Sequence, residues 1–288
     1  MTLPVKELLL VGENRLRDAG IADAKVDSRT LYCHIFDLTP AQLIMEWQKT
    51  VEFDYCEKYF SLLDRRAAGE PVQYITGVQE FMGYPIKVNP SVLIPRLDTE
   101  TVVEKAIEIA KEKKAKEILD LCCGSGAIGI AMAKNLPDAK ITLSDVSGDA
   151  AEVARSNVNA LNLSKRIDVK SGDLFEPFRG RFSKKRFDMI VSNPPYIPKA
   201  TIPKLMAEVK DHEPMTALDG GEDGLDFYRW ISGEAGVFLK KRGILVFEIG
   251  HDQGEAVSKL LEEHGFENVQ VVKDLAGLDR TVWGQLAK

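Results

Sequence analysis

Apolar residues in the first 75 positions recur at helical intervals. Val5, Leu8, Leu9, Gly12 and Leu16 share one face, Leu31, Ile35 and Leu38 repeat the signal, and Phe53, Cys56, Phe60 and Leu63 repeat it again. Each set has the spacing of an amphipathic helix stripe. Gly69-Glu70-Pro71 and Thr76-Gly77 then interrupt the pattern. Glu80 to Val88 reads as a short hairpin turning at Met82-Gly83-Tyr84-Pro85, and Pro90 and Pro95 stiffen the joint before a helix beginning near Leu97. From Glu117 onward short apolar runs alternate with helical ones. Strands are expected at Ile118-Leu121, Ala139-Leu143, Ile167-Val169, Phe187-Ser192, Ile244-Glu248 and Val269-Val272. Helices are expected at Ile128-Leu136, Ala150-Leu161, Phe227-Leu239 and Glu255-His264. This alternation predicts an α/β fold in which helices cover both faces of a mostly parallel sheet. The chain thus divides into a helical domain (1–75), a β-hairpin linker (76–95) and an α/β domain (96–288).

Composition narrows the class. The 288 residues carry 38 Lys+Arg against 44 Asp+Glu, a net charge of −6, where a chain that binds by neutralising phosphates should lean basic. Even Met1 to Pro90, the extra domain and its hairpin, carries 10 basic and 13 acidic residues. No apolar run approaches the roughly 18 residues a membrane span requires, and Leu8-Leu9-Leu10-Val11 is too short for a signal-peptide core. A cytoplasmic location is expected. Cys33, Cys56, Cys122 and Cys123 lack CxxC spacing and only four His occur, so free thiols and no metal site are expected.

Asp120-Leu121-Cys122-Cys123-Gly124-Ser125-Gly126-Ala127-Ile128-Gly129 joins the first strand of the α/β domain to its helix. Glycine suits a tight turn where a ligand approaches a helix N-terminus. Asp145 ends the next strand, placed to accept from two ribose hydroxyls. The spacing fits a dinucleotide or an adenosyl-sulfonium ligand equally. Cys122 and Cys123 stand where the dinucleotide fingerprint begins its glycines, and Asp120 can accept from a ligand ammonium. Both features favour S-adenosylmethionine.

Asp188-Met189-Ile190-Val191-Ser192 runs directly into Asn193-Pro194-Pro195-Tyr196. A planar amide or exocyclic amine presents two N–H donors, so gripping it takes two acceptors: the Asn193 side-chain oxygen and the Pro194 carbonyl. Consecutive prolines restrict φ and remove competing N–H groups. Tyr196 can lay its ring over a planar amide or base.

With these residues the chain resembles the release-factor glutamine N5-methyltransferases (the PrmC/HemK family). The resemblance covers most of the chain. It extends to Gly69-Glu70-Pro71-Val72-Gln73-Tyr74-Ile75-Thr76-Gly77, Ile94-Pro95-Arg96-Leu97-Asp98-Thr99-Glu100, Gly172-Asp173-Leu174-Phe175 and Asp223-Gly224-Leu225-Asp226-Phe227-Tyr228. Phe247-Glu248-Ile249-Gly250 and Asp274-Leu275-Ala276-Gly277-Leu278-Asp279-Arg280 complete it. It implies a class I, Rossmann-like domain with a mostly parallel seven-stranded sheet, preceded by a small helical domain that supplies partner specificity. It also implies that Cys122, Cys123, Gly124, Ser125 and Gly126 wrap the methionine part of S-adenosylmethionine and that Asp145 holds its ribose. Asp173 and Leu174 would lie beside the adenine, and Asn193, Pro194, Pro195 and Tyr196 would hold the glutamine. The implied partners are peptide chain release factors, methylated at the Gly-Gly-Gln glutamine with S-adenosylhomocysteine as product; no nucleic acid or membrane partner is expected, and a monomer is. Two departures stand out: Cys122 replaces the family's first loop glycine, and Leu174 falls where some members carry an aromatic ring.

An amide nitrogen is a poor nucleophile, so the expected catalysis is positioning by Asn193 and Pro194, without a general base. Alternatives from the residues are a nucleic-acid adenine or guanine amino-methyltransferase, whose flipped base suits the same acceptors, and a ribosomal-protein glutamine as target. A nicotinamide dehydrogenase and a non-enzymatic cofactor sensor are more distant. Arg179, Arg181, Lys184, Lys185 and Arg186 form a basic run read as a solvated loop, and Lys111, Lys113, Lys114 and Lys116 an exposed helix end. The long stretch holding Glu208, His212 and Glu213 is expected to order around a substrate.

Overall fold

A computed structural model describes residues 2–180 and 186–287. The chain folds as two compact units, Met1–Val78 with Met206–His212, and Gln79–Leu205 with Glu213–Lys288.

The first unit is helical. A short antiparallel pair, β1 (Leu3–Pro4) and β2 (Thr50–Val51), accompanies α1 (Val5–Asp18), α2 (Ala24–Phe36), α3 (Pro40–Glu46), α4 (Phe53–Ala67) and α5 (Val72–Thr76). The stripe Val5, Leu8, Leu9, Gly12 and Leu16 is buried as the spacing predicts. On α4 the buried face is Cys56, Tyr59, Leu63 and Arg66, and Phe53 is 49% exposed. Polar partners explain the difference. Tyr59 crosses over Gly12, where a Cβ would come within 2.1 Å of its hydroxyl, and that hydroxyl is 2.6 Å from Ser28 Oγ. Arg66 is satisfied inside by Asp27 at 2.6 Å, by the Glu70 carbonyl, and by Glu208 at 2.6 Å. Glu208 lies on the short helix Ala207–Lys210. The stretch after Tyr196 is therefore built of short turns and fixed by ion pairs rather than left loose.

The second unit begins within a hairpin of β3 (Val78–Phe81) and β4 (Tyr84–Lys87). Its turn is Met82-Gly83 alone, both at positive φ, the two-residue geometry that matches strand twist; Tyr84 and Pro85 already belong to the strand. The Met82 N–H donates to Glu100 on α6 (Leu97–Lys113), and Lys87 exchanges two hydrogen bonds with the Asn157 side chain.

Seven strands then form one sheet: β5 (Glu117–Leu121), β6 (Lys140–Asp145), β7 (Ile167–Ser171), β8 (Phe187–Ser192), β9 (Leu239–Glu248), β10 (Phe266–Lys273) and β11 (Asp279–Leu286). Their order is β10-β11-β9-β8-β5-β6-β7, parallel from β9 to β7, with β11 antiparallel to both neighbours. The apolar alternation gives six of these strands and misses β11, which inserts between β9 and β10. β11 is buried over Thr281 to Gln285 yet carries Thr281, Gly284 and Gln285, so it reads neither as an apolar run nor as a clean alternation. β9 begins five residues before Ile244, on the polar Lys240-Lys241-Arg242. The helices α7 (Ala127–Asn135) and α8 (Gly148–Ala160) follow β5 and β6. The chain runs outward from β5 to β7 and returns to the other side of β5 at β8. This switch opens a crevice at the carboxyl ends of the strands, where open α/β sheets take ligands.

All four cysteines are unpaired. In the basic run, Arg179 pairs with Glu234 and Arg186 donates to the Leu239 carbonyl; Arg181, Lys184 and Lys185 lie outside the described residues. Among the described residues no helix is long and apolar enough to cross a membrane.

Candidate active site

Four parallel strands deliver their following loops to one cleft. Leu121 to Ser125 come from β5, Ser144 to Ser147 from β6, Gly172 to Leu174 from β7, and Asn193 and Pro195 from β8. Ser91, Val92, Leu93, Pro95 and Thr99 line it from before and within α6, and Pro214, Thr216, Ala217 and Phe227 close the remaining side. Of this second group, Pro95, Thr99 and Phe227 lie in the motifs the sequence offered, and the others carried no signal there.

The loop after β5 is shaped by backbone. Cys122, Gly124 and Gly126 all have positive φ, +61°, +51° and +80°. A Cβ at Gly126 would come within 2.9 Å of Leu143, and one at Gly129 within 2.2 Å of the same side chain, so these glycines let α7 lie close on β6. Gly124 differs. It lines the cleft, and a Cβ there would meet no protein atom within 4 Å, which leaves open space for a ligand to approach the main chain.

Asp145 ties two of these loops together. One carboxylate oxygen accepts from the Gly124 N–H at 2.8 Å and the other from Ser147 at 2.9 Å. Burial raises its pKa against those bonds. Each oxygen keeps a further lone pair able to accept from a ligand hydroxyl. Beside it, the buried Ser144 hydroxyl has no hydrogen-bond partner among the described residues. Burial pushes the Cys122 and Cys123 thiols upward, so they are neutral and poor nucleophiles.

Not every expected residue reaches the cleft. Asp120 is wholly buried beneath the loop, where it accepts from the Gly129 N–H at 2.8 Å, and burial pushes it up to about 7. It faces the first turn of α7 from within and does not line the cavity. Gly126, Pro194 and Tyr196 do not line this cavity either. Tyr196 packs against the core cluster with its hydroxyl in the field of Glu248, Arg280 and Arg96. Asp173 is exposed at the rim, and Leu174 lines the cleft with φ of +42°. Asn157 was not singled out by the sequence: its amide donates to the Ser125 carbonyl at 2.9 Å while holding Lys87, so it fastens the glycine loop to the hairpin.

The charge of the lining discriminates between ligands. Among the described residues it contains Asp145 and Asp173 and no Lys, Arg or His. A dinucleotide would bring a pyrophosphate to a site whose formal charges, among the described residues, are negative, with Asp120 already engaging the α7 N-terminus. A sulfonium or ammonium group meets the opposite situation.

Comparison with known proteins agrees with the geometry. The model described as "PrmC N-terminal domain" matches residues 7–77, and the one described as "Methyltransferase small domain" matches 97–211. The chain is 40% identical over 280 residues to the release factor glutamine methyltransferase of Clostridium acetobutylicum, covering 97% of this chain and 98% of the relative. It is likewise 40% identical over 279 residues to the enzyme of the same name from Moorella thermoacetica, covering 96% and 97%. The solved T. thermophilus 16S rRNA N2 G1207 methyltransferase, in complex with AdoMet and guanosine, shares the fold at 17% identity and a TM-score of 0.52 over 73% of this chain and 49% of that one. With a methyltransferase sheet, an acidic ligand cleft at its switch point and near-complete coverage by these relatives, the chain belongs to the release factor glutamine methyltransferase family.

Proposed function

We propose that this protein transfers a methyl group from S-adenosylmethionine to the side-chain amide nitrogen of a glutamine in peptide chain release factors, the Gly-Gly-Gln glutamine. The observation that carries the cofactor is the cleft itself, acidic, free of cationic side chains among the described residues, and bare at Gly124. Cys122 to Ser125 and the unpartnered Ser144 hydroxyl would border the methionine end, Asp145 the ribose, and Asp173 and Leu174 the adenine. Asp120 supports the loop from below. When bound, S-adenosylmethionine supplies an electrophilic methyl on a positively charged sulfur.

The chain's own part is to hold the amide. Asn193 projects from the end of β8 onto the cleft, and the buried Pro194 and Pro195 fix the direction of the main-chain carbonyls around it. Two acceptors occupy both N–H groups of the glutamine and aim the nitrogen lone pair toward the cofactor side. Tyr196, packed against the core cluster, frames the loop. Alignment of this kind contributes several kcal/mol to a transfer step. Among the described residues no Lys or His lines the cleft to serve as a general base. None is required, because an amide nitrogen that has gained a methyl is acidic enough to lose its proton to water.

The deciding experiment follows methyl label from S-adenosylmethionine into a purified release factor. Asn193→Ala should lower turnover at least about 100-fold while S-adenosylhomocysteine still binds. Near-native turnover in that variant would show that the loop does not grip the acceptor. Label in a cell extract that is lost to nuclease and not to protease would replace the glutamine with a nucleic-acid base.

A further inference from the structure

One buried side chain that takes no part in the cleft converges on the Asn-Pro-Pro-Tyr loop. Gln253 precedes the helix Gly254–Glu263 and is 7% exposed. Its Nε2 donates to the Tyr196 carbonyl at 3.0 Å and to the Gly224 carbonyl at 3.2 Å, and its Oε1 accepts from the Gly250 N–H at 2.9 Å. Both amide donors and the acceptor are used, so the orientation of the side chain is determined by its partners. The buried Tyr228 hydroxyl, bonded to the Glu248 carbonyl at 2.9 Å, lies 3.4 Å from the same Oε1.

Three glycines make room for this node. A Cβ on Gly224 would lie 2.3 Å from the Tyr196 carbonyl oxygen and 2.9 Å from Gln253 Nε2. One on Gly220 would lie 2.7 Å from Tyr196 Cα, and one on Gly250 2.9 Å from Gln253 Oε1. At the other end of the loop, the buried Ser192 hydroxyl donates to the Leu121 carbonyl at 2.6 Å. The four residues 193–196 are therefore pinned at both ends, at one by a neighbouring strand and at the other by Gln253.

We infer that Gln253 is a positioning residue for methyl transfer, acting through the Tyr196 carbonyl to hold the direction of the Asn193 and Pro194 acceptors. It touches neither ligand. The inference rests on reading residues 193–196 as the loop that grips the substrate amide. Displacement of a reacting atom by about 1 Å costs on the order of 100-fold in rate while leaving binding elsewhere in the cleft intact. The role therefore separates from general structural support: it appears in the transfer rate and not in cofactor affinity.

The test uses the full chain, a purified release factor and methyl-labelled S-adenosylmethionine, with S-adenosylhomocysteine affinity measured by calorimetry. Gln253→Met keeps the length and removes every polar contact. It should lower kcat at least about tenfold while the Kd for S-adenosylhomocysteine changes less than about twofold. Gln253→Glu keeps the acceptor for Gly250 but cannot, when ionised, donate to Tyr196 or Gly224. It should show the same split, and it carries the test if the Met variant does not fold. Wild-type kcat in the folded variant, or a loss of cofactor affinity in proportion to kcat, overturns the inference. Asn193→Ala run alongside keeps the two readings apart. If it is inactive while the Gln253 variants are normal, only the role of Gln253 falls; if it retains wild-type turnover, the underlying reading of the loop falls with it.

Discussion

Cys122 holds a backbone conformation usually left to glycine, with φ of +61° at the entrance to the loop after β5. For a residue with a Cβ this costs about 1–2 kcal/mol. The side chain recovers part of that cost by packing against the core cluster that contains Leu121 and Phe187. Cys122→Gly exchanges strain relief for lost packing and a freer unfolded chain, so the melting temperature should move by less than about 3 °C. Cys122→Val keeps the bulk but puts a β-branched residue at positive φ, which should cost more than about 2 kcal/mol. Thermal melts of the two variants check this; equal melting temperatures would show that no strain resides at position 122. The residues that sequence could point to here share a local signature. Gly124, Asp145 and Asn193 each sit at a strand end with a recognisable neighbour. Asn157 and Gln253 have none, because each donates to main-chain carbonyls supplied by distant segments. Asp120 shows the opposite error: its position at a strand end is right for a ligand contact, but its side chain points beneath the loop.

Glycines within helices show how the same substitution changes sign with the element around it. In the helix Asp226–Phe238, a Cβ at Gly233 would meet only His264 at 3.6 Å, and one at Gly236 only Leu286 at 3.6 Å. Both are ordinary contacts. Gly233→Ala and Gly236→Ala should each stabilise by about 0.5–1 kcal/mol through reduced backbone freedom in the unfolded chain. In α7, Gly129→Ala meets Leu143 at 2.2 Å and Asp120 Oδ2 at 3.1 Å. It should destabilise by more than about 2 kcal/mol and weaken S-adenosylhomocysteine binding, since the loop rests on that contact. Denaturant unfolding of the three variants tests the contrast, and a stabilising Gly129→Ala would refute the close packing of α7 on β6. Element periodicity was legible where one face met one core, as along α1. It failed for β11, whose neighbours on both sides impose burial on Thr281, Gly284 and Gln285 without an apolar pattern, and for the polar first half of β9.

At the scale of the whole molecule, the buried carboxyls of Asp120 and Glu248 lack a full set of partners among the described residues. Asp120 and Glu248 each have one oxygen with no hydrogen-bond partner among the described residues, and burial pushes each up to about 7, from 3.8 and 4.5. For Glu248 the pull of Thr99 and Arg280 opposes that rise and Asp98 adds to it. A raised carboxyl binds its proton more tightly in the folded state, so between about pH 4 and pH 7 unfolding releases protons and stability falls as pH rises. Above pH 7 both forms are ionised and this contribution is flat. The shift of Glu248 corresponds to a few kcal/mol. Carboxyls that are lowered act in the other direction and further down: the main-chain N–H groups of Lys116 and Glu117 and the Lys240 ammonium outweigh burial at Asp188, whose contribution disappears as pH drops through its folded value. Maximum stability should therefore lie on the acidic side of neutrality. Glu248→Gln isolates one member of the pair. Its melting temperature relative to wild type should climb between pH 4.5 and pH 7 and then level off, while the absolute offset reflects only the exchanged contacts. A difference between variant and wild type that stays constant from pH 4.5 to pH 8 would mean that Glu248 titrates as an ordinary carboxylate, and that the interior behind Tyr196 is wetter than its burial implies.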